Sequence, residues 1–347
     1  SRPSLHEARA QNMPKHNKKL VAFTTLLAFC VVVFGAYVRL SDAGLGCPDW
    51  PGCYGYFGPP SSPGELADTE KLFPDQPFNS TKAWTEMVHR YLATTLGFLI
   101  LILFYFGIKN RSDIQQTTNT DNKTMLLTVL LLLVVFQGLL GMWTVTLKVH
   151  PVIVLAHLVG GMSTLALLFY FYKKLTPSTL PVDKTKKITG ALLIGFILLI
   201  IQIMLGGWTS SNYAALGCPD IPLCYGQLWP DNMDFSTAFW SWQSFGSNYE
   251  GGLLPSSAKT AIHFTHRIGA VITLLVLSAL GIQYLRSTSA NIRTAAQYLL
   301  GALITQFVLG IIMVWSSINI VLATAHNGLA ALLLLSFVNL LYTLKQR

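Results

Sequence analysis

Charge is scarce in this chain. Of its 347 residues only 11% are Asp, Glu, Lys or Arg, 52% are hydrophobic, and the mean hydropathy is +0.49. Those values lie outside the range of water-soluble domains. Cysteine is scarce as well: five residues, none in the tight paired spacing with further ligands that a protein metal site uses. No small-residue cleavage site precedes Tyr37-Val38-Arg39, and the first apolar run is long, so it is expected to stay as a span rather than leave as a signal peptide. A long presequence rich in arginine and serine is also missing. With the acidic Glu7 near the start, this favours a bacterial inner membrane over a mitochondrial one.

What is there is apolar and comes in runs. A membrane-crossing helix takes about 20 residues, and eight such runs are predicted: Leu20–Leu40, His89–Ile108, Met125–Thr146, Val152–Tyr172, Ile188–Trp208, Ile262–Leu285, Ala295–Trp315 and Ile320–Leu344. The N-terminus, the loops after spans two, four and six and the C-terminus hold 17 lysines and arginines against 4 acids, and the other side holds 7 against 11. The positive-inside rule therefore puts both termini in the cytoplasm. The formal net charge of +9 is a topology signal, and no nucleic-acid partner is expected from it.

The chain also repeats itself. Gly46-Cys47-Pro48-Asp49, running to Cys53-Tyr54-Gly55, returns as Gly217-Cys218-Pro219-Asp220, running to Cys224-Tyr225-Gly226. Each copy is followed by a His-Arg pair, His89-Arg90 and His266-Arg267, and later by one more histidine, His157 and His326. The offsets are 171, 177 and 169 residues, so the halves align with small insertions. Gly35 and Gly206 near the ends of the first and fifth spans, and Gln137 and Gln306 in the third and seventh, echo the same repeat. Four spans per half is an even number, which makes the halves parallel repeats. The expected fold is an all-α integral membrane protein, eight transmembrane helices arranged as two parallel-repeat four-helix bundles. Residues 1–19 form a cytoplasmic tail, 20–172 the first half, 173–187 a cytoplasmic linker and 188–347 the second half. Two long outer loops, about 41–84 and 209–260, exceed the length of plain connectors and are expected to cover something.

On this map the four repeated histidines stand near the outer ends of the even-numbered spans, within roughly 10 Å of the outer surface by helical rise. A lone intramembrane histidine is commonly a polar packing contact or a proton relay. Four at repeat-equivalent depth suit another use: His89 opposite His157, and His266 opposite His326, give each half a pair of imidazoles that can grip a haem iron from both faces. Arg90 and Arg267 at the aqueous edge suit haem propionates. His150 and His263 fit a rim role, and His6 and His16 belong to the tail. The halves differ at one telling place. Glu86 stands three residues before His89, where the second half has His263 before His266. If the helix reaches that far, Glu86 lies one turn above His89. There it can stabilise positive charge or move protons, or it can serve only as a helix N-terminal acid. Cys47 and Cys53, like Cys218 and Cys224, have a spacing compatible with a local disulfide outside the cell, a reversible thiol role being the other reading. Cys30 is expected to be a buried small hydrophobe.

This combination resembles the haem A synthase family, enzymes of cytochrome oxidase assembly, from about Leu20 to the end of the chain. The residues that carry it are Glu86-Met87-Val88-His89-Arg90, His266-Arg267, His157, His326 and the cysteine-bearing outer loops. The resemblance implies an oxidoreductase acting on a CH3 group: the C8 methyl of haem O is oxidised to a formyl group, through hydroxylated intermediates, to give haem A. It implies His89 and His157 around the substrate haem, Glu86 as catalytic carboxylate, and His266 with His326 on a resident haem b that relays electrons. Cys47 and Cys53 would correspond to the pair regarded as functionally relevant. The second pair, Cys218 and Cys224, is a departure, because some members have cysteines only in the first loop. Implied partners are membrane lipid, haem O synthase and oxidase assembly factors. Two other classes use similar parts, a b-type membrane cytochrome for quinol-linked electron transfer and a haem transporter or chaperone.

Overall fold

The computed structural model describes residues 15–109, 120–176, 189–240 and 246–345. Most of the N-terminal tail expected at 1–19 and most of the linker expected at 173–187 lie outside the described residues. Among the described residues ten helices follow in order: α1 Lys15–Leu40, α2 Pro63–Leu72, α3 Ser80–Lys109, α4 Thr120–Thr146, α5 Pro151–Leu175, α6 Gly190–Ser211, α7 Phe235–Phe239, α8 Ser256–Leu285, α9 Ala290–Trp315 and α10 Ile320–Lys345. Eight of them, all but α2 and α7, are long and apolar enough to cross a membrane. Among the described residues there are no strands, only two isolated bridges in the outer loops.

The apolar runs become helices because hydrocarbon offers backbone groups no other partner. Hydroxyls inside the spans follow the same rule, those of Thr24, Thr25, Ser163, Thr164, Thr305 and Ser336 each donating to the carbonyl four residues earlier. Two helices start earlier than hydropathy suggests. α3 begins at Ser80 rather than His89, and α8 at Ser256 rather than Ile262. Their first turns carry Ser, Thr and Lys, which hide the helix from an apolar count, yet Ala83, Glu86, Ala258 and His263 are buried there under the outer loops. The α2 helix, which hydropathy does not reveal, starts on a reciprocal capping box of Ser62 and Glu65, with Pro63 opening the first turn.

In the first half α1 packs on α3 and α5, and α4 packs on α3 and α5, so the four spans close a ring. In the second half α8 packs on α6 and α9 and α9 packs on α10, while α6 and α10 meet only lightly. The halves join where α5 packs on α6 and α10, and α1 on α10. One apolar core runs through both, including Leu165, Leu168 and Phe171 of α5, Leu192 and Leu199 of α6, and Leu334 and Phe337 of α10. Cys30 corrects an expectation, since it lies exposed on α1 rather than buried. In a helix apolar on every side a single cysteine carries no phase, and small apolar groups suit a lipid-facing surface as well as a core.

Polar groups stitch the two halves at both ends. Arg39, at the end of α1, donates to the Ser210 carbonyl at 2.7 Å and stacks over Tyr213 at 4.0 Å. The Tyr213 hydroxyl in turn donates to Asp42 at 2.7 Å. Lys82 pairs with Glu250 at 3.0 Å, and the Tyr249 N–H donates to the Lys148 carbonyl at 3.1 Å. At the far end Tyr342 donates to the Lys173 carbonyl at 2.8 Å. Arg39→Ala is expected to cost about 1.5–3 kcal/mol, the worth of a hydrogen bond to a charged group, and to lower the melting temperature in detergent. Lys82→Ala, which removes a more exposed pair, should cost no more than about 1 kcal/mol. Equal, negligible shifts for both would show that Arg39 does not hold the halves together.

Candidate functional site

The four repeated histidines lie in α3, α5, α8 and α10, and each ring rests against a glycine of the neighbouring helix. A Cβ built on Gly35 would stand 2.9 Å from His89 Cε1, one on Gly206 would stand 3.2 Å from His266, and one on Gly310 would stand 3.1 Å from His326. At Gly141 the separation from His157 would be 3.6 Å. Gly35 and Gly206 repeat at 171 residues, and Gly141 and Gly310 at 169. The same cradle therefore occurs four times, twice in each half. His89 and His157 stand on α3 and α5 of the first half, and His266 and His326 on α8 and α10 of the second, at matched repeat positions. The Nδ1 atoms of His89, His157 and His326 are sealed from solvent without a partner. Paired imidazoles in apolar surroundings, with ring nitrogens the protein leaves unsatisfied, fit a bis-histidine haem. Among the described residues no three His, Cys, Asp or Glu side chains gather as they would for a protein-only metal site.

Over each pair of imidazoles lies a disulfide-closed loop built twice to one plan. Cys47 bonds to Cys53, and Cys218 to Cys224. The Asp49 carboxylate accepts from the Tyr54 and Gly55 N–H groups at 2.6 and 2.8 Å, and Asp220 accepts from Tyr225 and Gly226 at 2.7 and 2.8 Å. The Gly226 N–H, with the Tyr225 N–H behind it, holds the Asp220 carboxyl below the usual range. Tyr54 and Tyr225 take up left-handed φ of 55° and 54°, so a buttressing carboxylate at this turn is needed. Each loop then presses on the start of the following long helix. A Cβ on Gly46 would meet the Lys82 carbonyl oxygen at 2.5 Å, and one on Gly217 the Lys259 carbonyl carbon at 2.6 Å.

The His-Arg arginines fasten these loops. Arg90 Nη1 donates to the carbonyls of Asp49, Pro51 and Gly52. Arg267 Nη1 donates to Asp220 and Leu223 at 2.7 and 2.9 Å, and its Nη2 to Cys218 at 2.6 Å. Arg267 Nε is buried without a partner. Because α3 extends to Ser80, Glu86 does lie one turn before His89, and it is buried. Its Oε2 accepts from the Cys47 N–H at 2.8 Å, and Oε1 accepts from Arg90. In the second half His263 takes the same place: its Nδ1 accepts from the Cys218 N–H at 3.0 Å. The two residues perform one structural task, but only Glu86 brings a carboxylate. His150, also expected at the rim, is buried edge-on against Tyr249 at 4.9 Å.

Three glutamines belong to this layer. Gln306 Nε2 lies 3.2 Å from His326 Nε2, and Gln202 Nε2 lies 3.1 Å from His266 Nδ1. Gln137 packs on Gly160 of α5, one turn from His157. The matched Gln137 and Gln306 were visible as a repeat, though not as neighbours of histidine, and nothing in the pattern singled out Gln202. Gly46→Ala is expected to lift the first loop at a cost of about 1–3 kcal/mol, because backbone gives way less than side-chain ends. Limited proteolysis between residues 47 and 62 should then accelerate, while Gly64→Ala, with open space around it, should leave cleavage unchanged. Equal cleavage of the two variants would refute the close backbone approach.

With this geometry in place, comparison with known proteins is specific. A family model described as cytochrome oxidase assembly protein matches residues 18–338. A haem A synthase of Shewanella oneidensis is 43% identical over 327 residues, covering 94% of this chain and 96% of that protein. Haem A synthases of Halalkalibacterium halodurans and Granulibacter bethesdensis are 26% and 24% identical, covering 91% and 96% of this chain and 94% and 89% of their own. Eight membrane-length helices and a family match across nearly all of them make this a multi-pass membrane protein, and the chain belongs to the cytochrome oxidase assembly protein family of haem A synthases.

Proposed function

We propose that the protein is a haem A synthase that oxidises the C8 methyl of haem O to a formyl group, in its first half, in support of cytochrome oxidase assembly. The observation that carries this reading is the exchange of Glu86 for His263 at one repeat position, each gripping the N–H of the first loop cysteine. The loop cysteines, the His-Arg pairs and the later histidines around them are duplicated, so at this position the carboxylate is what one half has and the other lacks.

His89 of α3 and His157 of α5 would hold the substrate haem, and His266 of α8 and His326 of α10 would hold a resident haem b. When bound, haem b supplies a one-electron relay for electrons withdrawn from the substrate. Glu86 stands at the substrate edge, where Oε1 and Oε2 can stabilise developing positive charge or accept a proton from attacking water. The Cys47 N–H and Arg90 fix the orientation of both oxygens. Arg90 and Arg267 face the propionates with donors the loop carbonyls leave over, and the partnerless Nε of Arg267 supports that role. The disulfide loops shut water out from above. Both termini lie in the cytoplasm of a bacterial inner membrane, by the charge asymmetry of the loops, which sets the haem sites at the outer face. Haem O synthase is the expected supplier of substrate, and oxidase assembly factors the expected recipients of product.

The test is Glu86→Gln in cells that make haem O, with haems extracted and separated chromatographically. The variant should keep wild-type haem content and lose conversion by about 100-fold or more, as removal of a proton-transfer group does. Wild-type conversion by Glu86→Gln would overturn the assignment, and an unaltered haem O pool in the wild type would favour an electron-transfer cytochrome.

A further inference from the structure

Symmetry also breaks at a second place, next to the iron-facing histidines rather than above them. Gln202 of α6 sends its amide to His266, with Nε2 at 3.1 Å from the ring Nδ1 and 3.0 Å from the His266 carbonyl. Its Oε1 is buried without a partner. The amide has room because residue 269, one turn after His266, is glycine: a Cβ there would collide with Gln202 Oε1. In the first half the position 171 residues before Gln202 is Val31, and the one 177 before Gly269 is Leu92. Polar donor and vacant Cβ are present together in one half and replaced together by aliphatic side chains in the other. His89 instead faces Gly35 and the Phe34 ring at 6.3 Å.

An imidazole that gives Nε2 to iron keeps its proton on Nδ1, and that N–H needs an acceptor. Gln202 supplies one once its amide turns over, since the two ends of an amide have the same shape. Oε1 then accepts a hydrogen bond from the Nδ1 N–H; the turned amide gives up its 3.0 Å bond to the His266 carbonyl, which keeps its place in the helix ladder, so the bond from the metal-bound imidazole has to outweigh that loss. A hydrogen bond at Nδ1 fixes the ring and makes the nitrogen on the other side a stronger ligand. Val31 can do neither for His89.

We propose that Gln202, seated on Gly269, is the positioning residue that makes the second-half haem a resident group, and that Val31 and Leu92 at the matching repeat positions leave His89 an exchangeable ligand, suited to a site where substrate enters and product leaves. This rests on the assignment of the two haem sites above.

The test uses the purified full-length protein with its haems. Haem loss is followed by transfer to excess apomyoglobin, and the midpoint potentials by redox titration. Gln202→Leu should release the haem that His266→Ala also removes about 10–100-fold faster than wild type, the usual effect of losing an outer hydrogen bond to a metal-bound histidine. It should also raise that haem's potential, because a weaker ligand stabilises ferric iron less. Gln202→Glu, which keeps an acceptor oxygen, should restore retention and bring the potential back to or below that of wild type. Gly269→Ala, which displaces the amide without touching Gln202, should shift both quantities in the direction of Gln202→Leu. Equal haem loss from the Leu and Glu variants, or an unmoved potential in Gln202→Leu, would overturn the proposal. A wild-type protein with no haem that His266→Ala removes would overturn the site assignment with it.

Discussion

An imidazole ring stands at four places between tightly packed helices, each facing a glycine of the neighbouring helix. Gly35, Gly206 and Gly310 are the constraint from which the rest follows, while Gly141 has room for a Cβ at 3.6 Å. A methyl group at Gly35 would stand 2.9 Å from its histidine, closer than packed atoms tolerate, and one at Gly206 or Gly310 would stand 3.2 or 3.1 Å away, tight enough that the ring has to give. The histidine would then move or the helices would part. Where lipid supplies no hydrophobic drive between helices, such small residues are also what lets the helices approach, so packing and function ask for the same residue at the same height.

The outer loops are subordinate to that arrangement. Each carries, just before its first cysteine, a glycine at which an added Cβ would run into the backbone of the next helix, closes through a disulfide, and is tied down by the arginine of the His-Arg pair of its half. The arginines therefore couple the lid to the helix that bears the imidazole. Duplication gave two copies of this apparatus, and the differences between them are few and local: Glu86 against His263 above the histidine, and Val31 with Leu92 against Gln202 with Gly269 beside it. In the proposed function the first difference serves chemistry at the substrate edge, and the second sets how firmly each half holds what it binds.

Much of this was legible in the sequence because duplication turns isolated residues into matched ones. His89, His157, His266 and His326 stood out by their offsets, the paired cysteines by their repeated phrase, and the eight spans by apolar length alone. The starts of α3 and α8 were missed because their first turns are polar on the surface and buried only by the loops folded over them. Cys30 was placed inside because an all-apolar helix gives no phase to tell core from lipid. Gln202 carries no such signal, because the matching position in the other half is Val31. Its contact with His266 depends on the crossing of α6 and α8, which periodicity does not specify.

The account depends on two separate haem sites, one per half, each gripped by its own pair of histidines. The direct measurement is the number and identity of haems per chain in purified wild type, His89→Ala and His266→Ala. Loss of the substrate haem alone from the first variant, and of haem b alone from the second, is the expected result. Loss of both haems from either variant, or of neither, would contradict it.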